Sequence, residues 1–183
     1  MYIPKHMQVY LLRHGIAEEA RPGKSDADRE LTAEGRGKLR DTLRVAANTA
    51  AQPSLILSSP LVRALQTAQL AARHLHYKGE ILQTNVLSPN SHVDRVWDEI
   101  RVHHDERELM LVGHDPLFTN LAGYLLGVPE LQIDFKKGAI LRIDIESFGP
   151  QPSGILRWFL TSKLASGAFE KDSAARTSAQ ANK

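Results

Sequence analysis

The chain has no cysteine among its 183 residues, and that one absence removes several kinds of chemistry. Disulfide frameworks, thiolate nucleophiles, iron–sulfur clusters and cysteine-ligated zinc are all excluded. Long apolar runs are missing as well. The first fifteen residues already contain Lys5, His6, Arg13 and His14, so neither a signal-peptide core nor a spanning helix fits there, and a cytoplasmic location is expected. Charge of one sign is equally scarce: 23 Lys and Arg against 21 Asp and Glu leave a formal +2. That excess suits an anion in one pocket but is too small for a nucleic-acid surface. What remains, 42% hydrophobic and 24% charged residues, is the balance of a soluble globular chain of one domain, with no internal repeat.

Residues 1–6 precede a second methionine, Met7, and read as a lead-in. From Met7 the run Gln-Val-Tyr-Leu-Leu reads as a buried strand ending at Arg13-His14-Gly15. After a polar loop, Thr32 caps a helix with Leu39, Leu43, Ala46 and Ala47 inward. A second strand, Ser54 to Leu57, ends at Ser58-Ser59-Pro60, where Ser59 as N-cap and Pro60 as first helical residue open a helix carrying Leu61, Ala64, Leu65, Ala68, Ala72 and Leu75. A short strand near Glu80 to Gln83 follows, then a helix marked by Val93, Val96, Trp97 and Ile100. Leu109 to Val112 is a further buried strand, closed by Gly113-His114-Asp115-Pro116, and the next helix stops at Gly127 and Pro129. Ile140 to Glu146 then alternates apolar and charged residues as an antiparallel strand does, with Ile155 to Thr161 as its partner. The domain spans 7–164, and residues 165–183, small, polar and aperiodic, have the composition of a disordered tail.

This β-α-β-α rhythm predicts a three-layer α/β/α domain, its sheet mainly parallel with a late antiparallel hairpin. In such sheets ligands bind beyond the carboxyl ends of the strands, where the turns holding His14, Arg63 and His114 all lie. One pocket would then contain Arg13, His14, Arg63 and His114. Guanidinium forks match the oxygens of a phosphoryl group. A neutral imidazole, with an ordinary pKa of about 6.5, is a competent nucleophile, and a second one can hydrogen-bond the equatorial oxygens. Phosphoryl transfer asks mainly for positioning and charge stabilisation, so no metal and no cofactor is expected.

Val-Tyr-Leu-Leu-Arg13-His14-Gly15, Leu31-Thr32-Ala-Glu-Gly35, Ser58-Ser59-Pro60-Leu-Val-Arg63-Ala-Leu-Gln66-Thr67-Ala68 and Gly113-His114-Asp115-Pro116 resemble, in that order, the histidine phosphatase (phosphoglycerate mutase-like) superfamily. Compact length and the Leu-Thr-x-x-Gly element make the chain most similar to the SixA-type phosphohistidine phosphatases. The resemblance spans Met7 to Leu164 and implies a phosphoglycerate mutase-like fold. It also implies that His14 is the phosphorylated nucleophile, that Arg13 and Arg63 hold phosphate and that His114 completes the pocket. Larger members carry a Glu or Asp general acid after the third strand. Here that segment is Leu87-Ser88-Pro89-Asn90-Ser91-His92, and SixA-type proteins share the lack. Phosphohistidine leaves as an imidazole already protonated at its other nitrogen, whereas an alkoxide needs a proton donor. The expected substrate is therefore a phosphohistidine-bearing protein, such as a phosphotransfer domain. The alternatives are a small phosphorylated metabolite, a pyrophosphate or polyphosphate, or no turnover in a phospho-binding module.

Other candidates have plainer readings. Asp115 sits where an N-cap belongs, and a capping carboxylate suits a general acid poorly, although it and water are the available donors. Ser58, Gln66 and Thr67 fit capping and helix-surface roles as well as a pocket lining. His103 and His104 point apart on a helix, and His74 and His76 likewise suggest no metal. Lys136-Lys137 reads as a solvated pair or as steering for an acidic partner. No Cys-x5-Arg loop, Asp-x-Asp element or Walker loop supports another phosphatase class.

Overall fold

The computed structural model describes residues 6–167; residues 1–5 and 168–183, most of the expected lead-in and tail, lie outside that range. Six strands, β1 (Met7–Arg13), β2 (Leu55–Ser58), β3 (Ile81–Gln83), β4 (Glu108–Gly113), β5 (Ile140–Ser147) and β6 (Ser153–Leu160), form one sheet in the order β3-β2-β4-β1-β5-β6. The first four are mutually parallel. β5 joins β1 antiparallel, and β6 joins β5.

Strands covered on both faces read as continuous apolar runs, and the alternation within β1 shows why. Val9 and Leu11 join Leu57, Leu109 and Leu111 under α3 (Val93–Val102) and α4 (Leu117–Leu126), against Trp97, Phe118 and Leu121. Tyr10 and Leu12 point the other way with Ile56, Met110 and Val112. There they meet Leu39 and Leu43 of α1 (Ala33–Asn48) and Ala64 and Ala68 of α2 (Val62–His74). These are the three layers expected. Each fully buried leucine among them contributes about 1.5–3 kcal/mol relative to an exposed one.

Local signals place most ends. Thr32 Oγ1 accepts the Gly35 N–H at 3.0 Å, as a cap should. Gly127 closes α4 with a φ of +68°, a left-handed conformation that suits glycine. Two expectations shift. The helix expected to open at Ser59-Pro60 begins at Val62, with Leu61 in the capping position and no side-chain cap. Residues 162–167 are helical with Ala165 fully buried, so ordered structure runs past the expected boundary at 164.

In β5, Leu141, Ile143 and Ile145 enter the core, while Arg142 lies 2.8 Å from Asp144 on the opposite face. What matters for the site is the parallel register. Arg13 pairs with Gly113 and Ser58 with Val112, so β1, β2 and β4 end at the same level, and their following turns lie side by side.

Candidate active site

Backbone hydrogen bonds join those turns directly. The His14 N–H donates to the Gly113 carbonyl at 3.0 Å, and the Ser59 N–H donates to the Val112 carbonyl at 2.9 Å. The imidazoles of His14 and His114 are consequently neighbours, with ring centroids 5.0 Å apart and planes inclined by 57°. Both are buried, at 6% and 2% exposure.

Their electrostatics follow from that burial. The His14 imidazole is pushed down to about 3, chiefly by loss of water. The Gly15 carbonyl opposes the shift, while His114, Arg63 and Arg13 add to it. His114 is lowered to about 4, again mainly by burial and then by Arg63, with Asp26 pulling the other way. Both rings are therefore neutral at pH 7. His14 Nδ1 lies 2.7 Å from the Gly15 carbonyl oxygen. A carbonyl only accepts, so Nδ1 carries the proton and Nε2 keeps its lone pair. His114 Nε2 is 2.9 Å from Ser59 Oγ, and the same oxygen also accepts the Leu61 N–H at 3.4 Å just before α2.

The arginines come from two elements. Arg13 ends β1 and donates through Nη1 to the Phe135 carbonyl. Arg63 is the second residue of α2, nearer the helix start than the sequence suggested, and only 4% exposed. Its Nη1 and Nη2 donate to the Asp26 carbonyl at 2.7 Å and the Asp26 carboxylate at 3.0 Å. The Nε atoms of Arg13 and Arg63 are buried without a partner; they are two of only three such side-chain nitrogens or oxygens among the described residues. An unpaired buried donor costs about 1–3 kcal/mol, and two of the three belong to the arginines expected to hold phosphate.

The four residues expected to meet, Arg13, His14, Arg63 and His114, are thus gathered at one sheet edge. Asp115 caps instead: its Oδ1 accepts from the Thr119 N–H at 3.3 Å and from Thr119 Oγ1 at 2.6 Å, at the start of α4. Thr67 proves to be internal, its Oγ1 accepting the Gly15 N–H at 3.1 Å and donating to the Arg63 carbonyl at 2.8 Å. Gln66 Oε1 accepts from the Leu31 N–H at 2.8 Å and from Arg36 at 2.9 Å, and Ser58 Oγ donates to the Ser59 carbonyl. His103 and His104 end α3, one near Glu99 and one on the Arg101 carbonyl. No three His, Cys, Asp or Glu side chains cluster as metal ligands among the described residues. Sequence reasoning missed Asp26. It lies in a charged loop where Asp28, Arg29 and Glu30 stand beside it, and nothing local singles it out.

A family model for the histidine phosphatase superfamily (branch 1) matches residues 9–87. An uncharacterized protein of Picosynechococcus sp. is 34% identical over 113 residues, which are 60% of this chain and 67% of that one. The chain belongs to the histidine phosphatase superfamily. Its enzyme class, a phosphatase, follows from that membership. Among solved structures, the protein histidine phosphatase SixA complexed with tungstate superimposes with a TM-score of 0.77. It is 24% identical, over 85% of this chain and 97% of that one. A SixA from Agrobacterium tumefaciens, assigned as a phosphohistidine phosphatase, gives 0.74 at 28% identity, with the same coverage of both chains. The superfamily's phosphoglycerate mutase-like fold is therefore the fold found here, in its SixA-like form. No helix among the described residues is long and apolar enough to cross a membrane.

Proposed function

We propose that the protein is a cytoplasmic, metal-independent phosphohistidine phosphatase that works through a phosphorylated His14. The observation that carries this reading is a neutral His14, its proton held on Nδ1, with the His114 ring 5.0 Å away and the charges of Arg13 and Arg63 acting on it. Two guanidinium groups next to an imidazole held in one tautomer fit a phosphoryl oxygen cluster better than any neutral ligand.

In the first step the His14 Nε2 lone pair attacks phosphorus in line with the departing nitrogen. The new N–P bond forms as the substrate's N–P bond breaks. The substrate imidazole, already protonated at its distal nitrogen, leaves neutral and needs no general acid. His14 becomes cationic, and its Nδ1–H, bonded to the Gly15 carbonyl, is stabilised there. Arg13, Arg63 and His114 hold the equatorial oxygens, where charge stabilisation matters most. Water then attacks the phosphoenzyme, releasing phosphate and restoring neutral His14.

The SixA neighbours support phosphohistidine as the substrate class; so does the segment 87–92, which offers no carboxylate. A phosphotransfer domain is the partner we favour. The test is to trap radiolabelled enzyme from a phosphohistidine protein and locate the label. Acid-labile label on His14, lost in His14→Ala together with hydrolysis, is expected. Rapid turnover of sugar phosphates or polyphosphate, with none of a phosphohistidine peptide, would instead assign the same His14 chemistry to small metabolites. Tight phosphate binding with no turnover of any of them would leave a phospho-binding module.

A further inference from the structure

Beside the site runs a groove of about 610 Å³ that the catalytic residues do not explain. It begins at Arg13, passes Ile16, and is bordered by Lys38 of α1, by Lys136 and Lys137 of the loop before β5, and by Lys163 of the helical segment over residues 162–167. Among the described residues Asp134 is its only lining carboxylate, and it is paired with Lys136 at 3.0 Å. Lys38 is held by Glu34 at 2.6 Å. Lys137 and Lys163 are exposed, and neither has a carboxylate partner within ion-pair distance among the described residues. A chain whose formal charge is only +2 thus places five cationic side chains around one groove that opens from its phosphate-binding arginine.

We propose that this groove receives an acidic segment of the phosphorylated partner, so that carboxylates flanking the phosphohistidine meet Lys137 and Lys163 while the phosphoryl group reaches His14. The inference rests on the phosphohistidine reading above and adds how the partner is chosen. Lysines are point charges on flexible stems, whereas planar, bidentate phosphate recognition calls for arginine. Four lysines spread over three chain segments fit carboxylates spaced along a polypeptide better than one further phosphate. Their long-range field also raises the encounter rate with an acidic surface and suppresses basic competitors.

The test uses the full chain with three probes: phosphoramidate, a phosphohistidine peptide flanked by glutamates, and the same peptide with serines in their place. For wild type, KM should be lower for the glutamate peptide by roughly tenfold, the scale of rim-charge effects on association, and should rise with salt. Lys137→Glu with Lys163→Glu should erase that advantage, leaving kcat, the serine peptide and phosphoramidate unchanged. Lys78→Glu, on the exposed far end of the molecule, should change nothing. Equal KM for the two peptides in wild type would overturn the groove assignment alone, as would the same loss in Lys78→Glu. So would a lysine dependence of the same size with the serine peptide. Failure to hydrolyse either peptide or phosphoramidate would overturn the phosphohistidine reading, and the groove assignment with it.

Discussion

Arg63 is oriented by Asp26: one guanidinium nitrogen donates to the Asp26 carbonyl at 2.7 Å and another to its carboxylate at 3.0 Å. The second carboxylate oxygen takes two hydrogen bonds from Arg29, at 2.8 and 2.6 Å. Asp26 is 61% exposed while Arg63 is 4% exposed, so water screens the pair and its contribution to stability is small. Its value is geometric, because two hydrogen bonds to one residue fix the orientation of the guanidinium plane. Asp26→Asn keeps the carbonyl contact and loses the ion pair. It should lower kcat/KM by about tenfold or more, since small misplacements of a positioning group are costly, and should weaken orthovanadate inhibition in step. Melting should stay close to wild type. Unchanged kcat/KM would show that Arg63 needs no brace.

The pH dependence follows from the burial of the two histidines. His14 is lowered from 6.5 to about 3 and His114 to about 4, and the proposed mechanism uses both in their neutral forms. Activity on phosphoramidate should therefore show no acid limb near pH 6.5, and should fall only as pH approaches 4. The unfolded chain binds protons that the native histidines refuse, so stability from these groups is full above the unfolded value and is lost as pH falls below it. Urea midpoints should drop between pH 7 and pH 4, and His14→Asn should flatten that slope. An acid limb at pH 6.5 that is absent in His114→Asn would place the titration on the other ring.

Elements whose signal is local were legible in the sequence. Buried strands announced themselves as Gln8 to Leu12 and Leu109 to Val112, and Thr32 and Gly127 marked helix ends where the structure has them. The convergence of His14, Arg63 and His114 needed only the rule that parallel strands present their carboxyl ends together. Partners chosen across the sheet were not legible. Ser59-Pro60 has every mark of a helix start, yet its hydroxyl is taken by a histidine 55 residues away, and tertiary geometry overrode the local preference. Asp26 was invisible because its distinction is a contact with Arg63, made by folding a charged loop back over the sheet edge.

Ser59 gives the sharpest test of that override. Its Oγ lies 2.9 Å from His114 Nε2, at a position with no exposure. Ser59→Ala removes this partner and leaves a buried imidazole nitrogen unsatisfied, at a cost of about 1–3 kcal/mol. If Ser59 were chiefly a helix cap, the loss would be confined to stability. Because it sets the rotation of His114, kcat should fall as well, by about tenfold or more. Chemical denaturation with single-turnover kinetics separates the two readings: a stability loss with intact kcat would return Ser59 to a capping role.

The Leu31-Thr32-x-x-Gly35 element has a mechanical explanation that one pair of substitutions can check. The Thr32 N–H donates to the Ile16 carbonyl at 3.0 Å, which presses the first turn of α1 against the backbone just past His14. A Cβ on Gly35 would lie 2.1 Å from that same carbonyl oxygen and 2.9 Å from the Ile16 nitrogen. Backbone cannot yield as a side-chain tip can, so Gly35→Ala should cost roughly 3 kcal/mol and, by moving Ile16, shift the Gly15 carbonyl that holds His14. Gly37, two residues on in the same helix, has nothing nearer than Arg40 Nη2 at 3.9 Å. There the entropy of the unfolded chain decides, and Gly37→Ala should stabilise by about 0.5–1 kcal/mol with kcat unchanged. Thermal melts of both variants, with kcat measured alongside, test the idea. Equal effects from the two would mean that glycine serves helix flexibility here; opposite signs, with kcat lost only in Gly35→Ala, would tie the element to the nucleophile turn.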